Sequence, residues 1–321
     1  MDVLASAGMY DLSDYARMVA DTRRMAALTA ALESCVRPGT VVADIGTGTG
    51  VLAVIACRLG ARRVYAIDTN DVIQLGPELA ADSGCAERIE FIQGDALEVE
   101  LPESVDVVVS DLRGGMPMAP GNLAVIAHAR EHFLAKGGTL IPARDELFVA
   151  IVESAERYRR ALGPEDVSGI SLRAMSSRLA NMIHKDRQRA VRPSDLLSNP
   201  ARWATLDYAT AKPQRITGGA GWDIDRFGTG YGLLLWFDTM LAPGHGFSTA
   251  PGNPGVYPQL FLPWTTPIDL AEGERVAVDL WAQADGDAWG WNTTVTDAQG
   301  RERERFKQSS FLGATAGPAG R

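Results

Sequence analysis

Residues 41–50 read Val41-Val-Ala-Asp44-Ile-Gly46-Thr47-Gly48-Thr-Gly50. A short apolar run ends in an acid, and glycines at alternate positions lead into the helix-compatible stretch VLAVIACRLG. Glycine lets the backbone turn tightly and lets a ligand approach without meeting a Cβ. The first N–H groups of the following helix are unpaired and can face an anion. Such a loop can cradle a dinucleotide pyrophosphate, but the spacing here is GxGxG, not GxGxxG. Asp44 would also repel a pyrophosphate, whereas it can accept from an ammonium group or brace the loop. The combination points to a cationic, amino-acid-bearing nucleoside, S-adenosylmethionine, which becomes S-adenosylhomocysteine after methyl loss. Asp68 closes the next apolar run, RVYAID, with Thr69 after it. Its two oxygens can accept from both ribose hydroxyls, a device that nicotinamide sites share. Gly94-Asp95-Ala96 follows the third run, and Asp95 suits either the adenine amino group or the cap of its own turn.

Outward from this loop, Val- and Ile-rich runs alternate with helical stretches between residues 41 and 142. The runs are VVADI (41–45), RVYAID (63–68), IEFIQ (89–93), VDVVVSD (105–111) and GTLIP (138–142). Runs that are apolar throughout predict strands covered on both faces, hence a parallel sheet. Helices over 50–59, 71–84 and 122–135 supply the crossovers of a doubly wound, Rossmann-like α/β domain. Ahead of it, Met18, Met25, Leu28 and Leu32 form one helical stripe, stopped by Pro38-Gly39. Beyond residue 143, LFVAIVE (147–153) predicts a strand, and 155–200 is polar, basic and helix-like. From about 203 the pattern is antiparallel β, with runs at 230–241, 259–264, 274–283, 289–297 and 303–311 between Gly, Pro and Asp. The domains expected are 1–40 (helices covering the cofactor), 41–142 (cofactor domain), 143–312 (β-barrel-like, with a helical insertion at 155–200) and a disordered tail at 313–321.

The 321 residues carry a formal net charge of −9. That argues against nucleic-acid binding, which needs a basic face. No apolar run is long enough to span a membrane, and the acidic N-terminus is unlike a secretion signal. Cys35, Cys57 and Cys85 form no metal knuckle or disulfide framework, so a cytoplasmic chain with reduced core thiols is expected. His128, His132, His184 and His245 match no metal-ligand spacing, and no metal is expected.

The chain resembles the class I S-adenosylmethionine-dependent methyltransferases, and within them the protein arginine methyltransferase family. The resemblance runs over roughly residues 10 to 300. Met18-x-x-Asp21-x-x-Arg24 resembles the family's N-terminal helix, whose Arg meets the cofactor's carboxylate. Asp44–Gly50 resembles its glycine loop, and Ala66-Ile67-Asp68 its ribose-binding strand end, with Asp for Glu. Arg130–Leu134 through Gly138–Pro142, Trp236-Phe237-Asp238 and Phe247–Pro251 resemble the exit from the cofactor domain and parts of its β-barrel. The resemblance implies that the 155–200 insertion is an arm that forms a homodimer. Two departures stand out. The family's acceptor loop carries two glutamates; here, after Ser110, it reads Asp111-Leu-Arg113-Gly-Gly-Met116-Pro-Met-Ala-Pro120, with no second acid. The family's Thr-His-Trp loop is replaced by Pro254-Gly-Val-Tyr257-Pro-Gln259.

The reading is therefore an S-adenosylmethionine-dependent N- or O-methyltransferase acting on a small molecule or peptide, with a free guanidino or amino-acid metabolite as one acceptor. The alternatives are a protein arginine methyltransferase with a rebuilt loop, and a silent cofactor-binding subunit. The expected cofactor residues are Met18, Arg24, Asp44, Gly46, Thr47, Gly48, Gly50, Asp68, Thr69, Gly94, Asp95, Ala96 and Ser110. Asp111 is the candidate base or positioning group for a nitrogen or hydroxyl acceptor. Arg113 is the candidate clamp for a carboxylate acceptor, or else a salt-bridge partner of Asp111. Tyr10, Tyr15, Met116 and His245 are the expected acceptor-side residues. Trp281, Trp289 and Trp291 fit core or dimer packing better than a substrate cage.

Overall fold

In the computed structural model, residues 10–185, 191–284 and 288–313 are described. Two helices lead the chain, α1 (Leu12–Ala20) and α2 (Thr22–Cys35). Each begins on an aspartate. Asp11 and Asp14 cap one another reciprocally, and the Asp21 carboxylate accepts the Arg24 N–H. These carboxylates satisfy N–H groups that a helix start leaves unpaired.

The cofactor-domain region follows as β1 (Val41–Ile45), α3 (Val51–Arg58), β2 (Arg63–Asp68), α4 (Gly76–Asp82), β3 (Ile89–Gln93), β4 (Val105–Ser110), α5 (Asn122–His128) and β5 (Leu134–Ile141). The strands form one sheet in the order β3-β2-β1-β4-β5, parallel throughout. β1 lies at its centre and is buried along its whole length, Asp44 included, as a central strand covered on both faces is. Leu28, Leu32, Leu52, Val54, Val64 and Val107 pack on one face of the sheet, and Ile45, Tyr65, Ile67, Val108 and Phe133 on the other. The strand order reverses beside β1, so a crevice opens at the carboxyl ends of β1, β2 and β4. β5 begins earlier than its 138–142 motif suggests, because α5 ends at His128 and a single π-turn over 129–133 delivers the chain directly to the sheet edge.

β6 (Arg144–Val152), α6 (Ala155–Leu162), the hairpin β7 (Asp166–Val167) and β8 (Ile170–Ser171), α7 (Arg173–Leu179) and β9 (His184–Lys185) come next. They are followed by β10 (Ala201–Asp207), β11 (Ile216–Asp223), β12 (Gly228–Ala242), β13 (His245–Ser248), β14 (Leu260–Leu270), β15 (Arg275–Ala282), β16 (Trp289–Thr296), β17 (Glu302–Ser309) and α8 (Ser310–Gly313). One sheet runs β10-β6-β12-β14-β9, with β13 on β12, and a second runs β11-β15-β16-β17. Their facing sides share a core that includes Leu147, Leu235, Leu262, Trp264, Val276, Val278, Leu280 and Trp291. Val276, Val278 and Leu280 alternate with exposed neighbours, as a half-buried strand does. Trp289 and Trp291 are buried at the barrel, as the packing reading had it.

Cysteine usage corrects the sequence expectation. Cys57 at the end of α3 and Cys85 after α4 are joined as a disulfide, their Cα atoms 6.2 Å apart. The helices that flank the sheet bring together two thiols separated by 28 positions, which no local spacing rule could pair. Cys35 is free. The tail from residue 314, expected to be disordered, lies outside the described residues.

Candidate functional site

The glycine loop needs its glycines. Gly46, Gly48 and Gly50 have φ of +72°, +57° and +86°, the left-handed region that costs other residues. A Cβ on Gly48 would lie 2.5 Å from Cε1 of Tyr15, and one on Gly46 would strike Leu112. Asp44 sits beneath the loop, 1% exposed, and accepts the Thr47 hydroxyl at 2.6 Å. It therefore braces the loop from inside, the second of its two sequence readings. Burial pushes its carboxyl up to about 7, against the Thr47 hydroxyl and a backbone N–H that favour the ion.

Asp68 stands at the end of β2. One oxygen accepts the Gly48 N–H at 2.7 Å and the other the Asn70 N–H at 2.8 Å. Each oxygen keeps a second lone pair for a ligand hydroxyl. Tyr15 lies across the loop and meets Tyr10 edge-on at 6.1 Å. Burial and the Asp68 charge push the Tyr15 hydroxyl up to about 12.

Beside this loop runs a cavity of about 1730 Å³. That exceeds the few hundred to a thousand Å³ usual for a single small ligand, so a nucleoside and an acceptor can share it. Its walls include Tyr10, Tyr15, Met18, Arg24, Gly46, Thr47, Asp68, Thr69, Asp111 and Met116. In its wall Arg24 and Asp111 form an ion pair of 2.6 Å. Arg24 also donates to the Met18 carbonyl at 3.2 Å and lies 3.1 Å from the Tyr257 hydroxyl. Tyr257 donates its hydroxyl to the same Asp111 oxygen. The other Asp111 oxygen accepts Nε of Arg113 at 2.9 Å. Burial alone would raise the Asp111 carboxyl, but the Arg113 and Arg24 guanidiniums and the Tyr257 hydroxyl hold it well below the usual carboxylate range. Asp111 is therefore an anion throughout the neutral range.

Arg113 does not reach the cavity. Its side chain is 0% exposed and bridges from Asp111 to Asp145 at 3.2 Å and Thr239 at 2.6 Å. The clamp reading for Arg113 is thereby corrected, and the salt-bridge reading holds. The cause is tertiary: β6, β12 and β13 close over the loop after β4. His245 is corrected in the same way. It starts β13, pairs with Ala242 and is not among the cavity's walls, because the hairpin carries it to the far end of the strand. Asp95 accepts the Leu97 N–H at 2.9 Å, the turn-capping role, and Gly94, Asp95 and Ala96 do not line the cavity. Ser110 is buried at the end of β4, with its hydroxyl unpartnered among the described residues. Tyr15 covers the glycine loop, and Tyr10, Tyr15 and Met116 all line the cavity that holds Asp111.

Two side chains that sequence reasoning did not single out complete the site. Tyr257 reaches Asp111 from the loop before β14. Asp21, besides capping α2, accepts the Val256 N–H at 2.9 Å and so ties the N-terminal helices to that loop. Both lie more than 140 positions from the groups they hold, and only the replacement of the family's Thr-His-Trp loop hinted at Tyr257. No cluster of His, Cys, Asp or Glu among the described residues could hold a metal ion. No helix among them is long and apolar enough to cross a membrane.

Comparisons with known proteins agree with this geometry. A family profile described as ribosomal protein L11 methyltransferase (PrmA) matches residues 22–116. Protein arginine N-methyltransferase 6 of Xenopus laevis is 30% identical over 257 residues, spanning 76% of this chain and 74% of the relative. The ribosomal protein arginine N-methyltransferase rmt3 of Schizosaccharomyces pombe is 28% identical over 256 residues, 74% of this chain and 46% of that protein. Among solved structures, the Trypanosoma brucei PRMT1 enzyme-prozyme heterotetrameric complex with AdoHcy superposes with a TM-score of 0.81 at 22% identity, covering 92% of this chain and 97% of that one. Arabidopsis thaliana protein arginine methyltransferase 10 superposes with a TM-score of 0.79 at 20% identity, covering 93% and 97%.

Proposed function

The chain belongs to the protein arginine N-methyltransferase family and is an S-adenosylmethionine-dependent methyltransferase; from that premise we propose that its acceptor is a nitrogen atom of a peptide or protein. One observation carries the reading: Asp111, held ionised by Arg24 and Arg113, faces the cavity that passes the glycine loop and Asp68. The arginine side chain, named in the relatives above, is the first acceptor to test. The small-molecule acceptor expected from sequence has no counterpart in those names.

The residues present fit the cofactor. Asp68 keeps two free lone pairs at the rim, Gly46 and Thr47 line the cavity, and Arg24 offers a cation to a carboxylate. When bound, the cofactor supplies an electrophilic methyl group on a sulfonium. The protein's part is placement, which can contribute on the order of 7–11 kcal/mol to such a displacement. Asp111 accepts an N–H from the acceptor and so turns the nitrogen's lone pair into line. With its carboxyl far below neutral, it orients the acceptor and does not store a proton. The proton lost from the methylated nitrogen leaves through the open cavity to water.

We also infer pairing with a second copy of the chain. The hairpin of β7 and β8 and α7 expose Val167, Ile170 and Met175, at 51%, 66% and 44%. A protruding arm of this kind leaves apolar surface that association would cover.

The test is label transfer from methyl-labelled S-adenosylmethionine to arginine peptides, amine-bearing peptides and a metabolite extract. Label in peptide nitrogen is expected. Label confined to the metabolite extract, or to oxygen, would overturn the proposal.

A further inference from the structure

Arg113 is the largest charged side chain fully removed from solvent among the described residues. Three rings cover it: its Cζ lies 5.4 Å from the centroids of Phe237 and Phe247 and 5.7 Å from that of Tyr257. Its Nε holds Asp111, its Nη1 holds Asp145 and Thr239, and its Nη2 has no partner among the described residues. Asp145 is fully buried as well and accepts the Tyr208 hydroxyl at 2.6 Å. Aromatic faces, a carboxylate and a closed shell are what a site for an arginine side chain would offer. Here a residue of the chain itself fills that environment.

The consequence falls on Asp111. A carboxylate accepts about four hydrogen bonds. One oxygen of Asp111 carries Arg24 and Tyr257, and the other carries Arg113. The two guanidiniums are balanced by Asp111 and Asp145 together, and one lone pair is left on Asp111, on the oxygen that holds Arg113. A third guanidinium would meet like charges and find no uncompensated anion. An uncharged N–H group needs only the remaining lone pair. We propose that Arg113 is a specificity residue, an internal guanidinium that occupies the acceptor carboxylate so that the cavity admits an uncharged nitrogen, such as a deprotonated amine, in preference to an arginine cation.

This rests on the nitrogen-acceptor reading and narrows it. In the reaction implied, the neutral amine's lone pair forms the new N–C bond as the S–C bond breaks. S-adenosylhomocysteine leaves with the sulfur's electron pair, and the ammonium product releases a proton to water.

The test is a binding measurement, so that it does not depend on turnover. Two peptides identical except for arginine or its uncharged isostere citrulline are titrated into the protein saturated with S-adenosylhomocysteine. The wild-type chain is expected to hold the citrulline peptide at least as tightly as the arginine peptide. In Arg113→Met the neutral side chain frees one Asp111 oxygen, and a preference for arginine of at least tenfold is expected. Because that change strips Asp145 of its cation, the pair Arg113→Met with Asp145→Asn is measured alongside, with circular dichroism to verify folding. Tighter binding of the arginine peptide by the wild-type chain, or no gain in either folded variant, overturns the proposal. If the gain is seen but no peptide nitrogen is ever labelled, the Arg113 inference stands and the nitrogen-acceptor reading is the one that fails.

Discussion

Asp68 and Asp44 show how two like residues in neighbouring strands take different work from their surroundings. Asp68 is half-exposed at the crevice, with two backbone N–H groups on its carboxylate and two lone pairs free. Replacing it by Ala removes charge-assisted acceptors and leaves the Gly48 N–H unpaired; cofactor affinity, read by calorimetry, is expected to weaken by about 1.5–3 kcal/mol. Asp44 is sealed beneath the loop, and burial lifts its carboxyl to about 7. An unfolded aspartate titrates near 4. Between those values the folded chain binds a proton that the unfolded chain lacks, so this group's contribution to stability is present at acidic pH and is lost as pH rises toward and through 7. The expected outcome is a melting temperature that falls from pH 5 to pH 8 in the wild type, with a flatter profile in Asp44→Asn. Both aspartates were legible from sequence as loop residues. Which was buried and which open was not, because burial is set by the helices and loops above them.

At the scale of elements, the junction of α1 and α2 couples the cofactor side to the acceptor side. Asp21 ends one helix and caps the next, and its second oxygen holds the Val256 N–H. Asp21→Ala strips a cap and unpairs two N–H groups. A loss of about 1–2 kcal/mol in unfolding free energy is expected by denaturant titration. Cofactor affinity should fall with it, since Arg24 lies in the first turn of α2. The α2 stripe, the strands of the parallel sheet and the glycine loop follow from local pattern, because each run carries its own period and its own stop signals. The β5 start, the short arm elements and the position of His245 did not follow. The π-turn after α5 and the hairpin between β12 and β13 depend on what packs against them.

For the whole molecule, pairing through the arm makes a direct prediction. Ile170→Asp places a charge on the most exposed apolar side chain of the β7–β8 hairpin. Sedimentation is expected to show a dimer for the wild-type chain and a monomer for this variant, with circular dichroism unchanged. The same scale explains what was readable in advance. Alternating αβ periodicity, the order of glycine loop, acid and strand, and the later run of short strands determined a Rossmann-like domain followed by an antiparallel one, because such patterns are enforced by backbone hydrogen bonding and the two-sided burial of a parallel sheet. The tertiary structure alone decided that Arg113 turns inward to Asp111 and Asp145, that Tyr257 closes on Asp111, and that Cys57 meets Cys85. Apart from the Arg113–Asp111 pair, two residues apart and open to a sequence reading, each of those contacts joins residues whose separation along the chain carries no local signal, and each is fixed by the free energy of burying charge, ring or thiol where different elements meet.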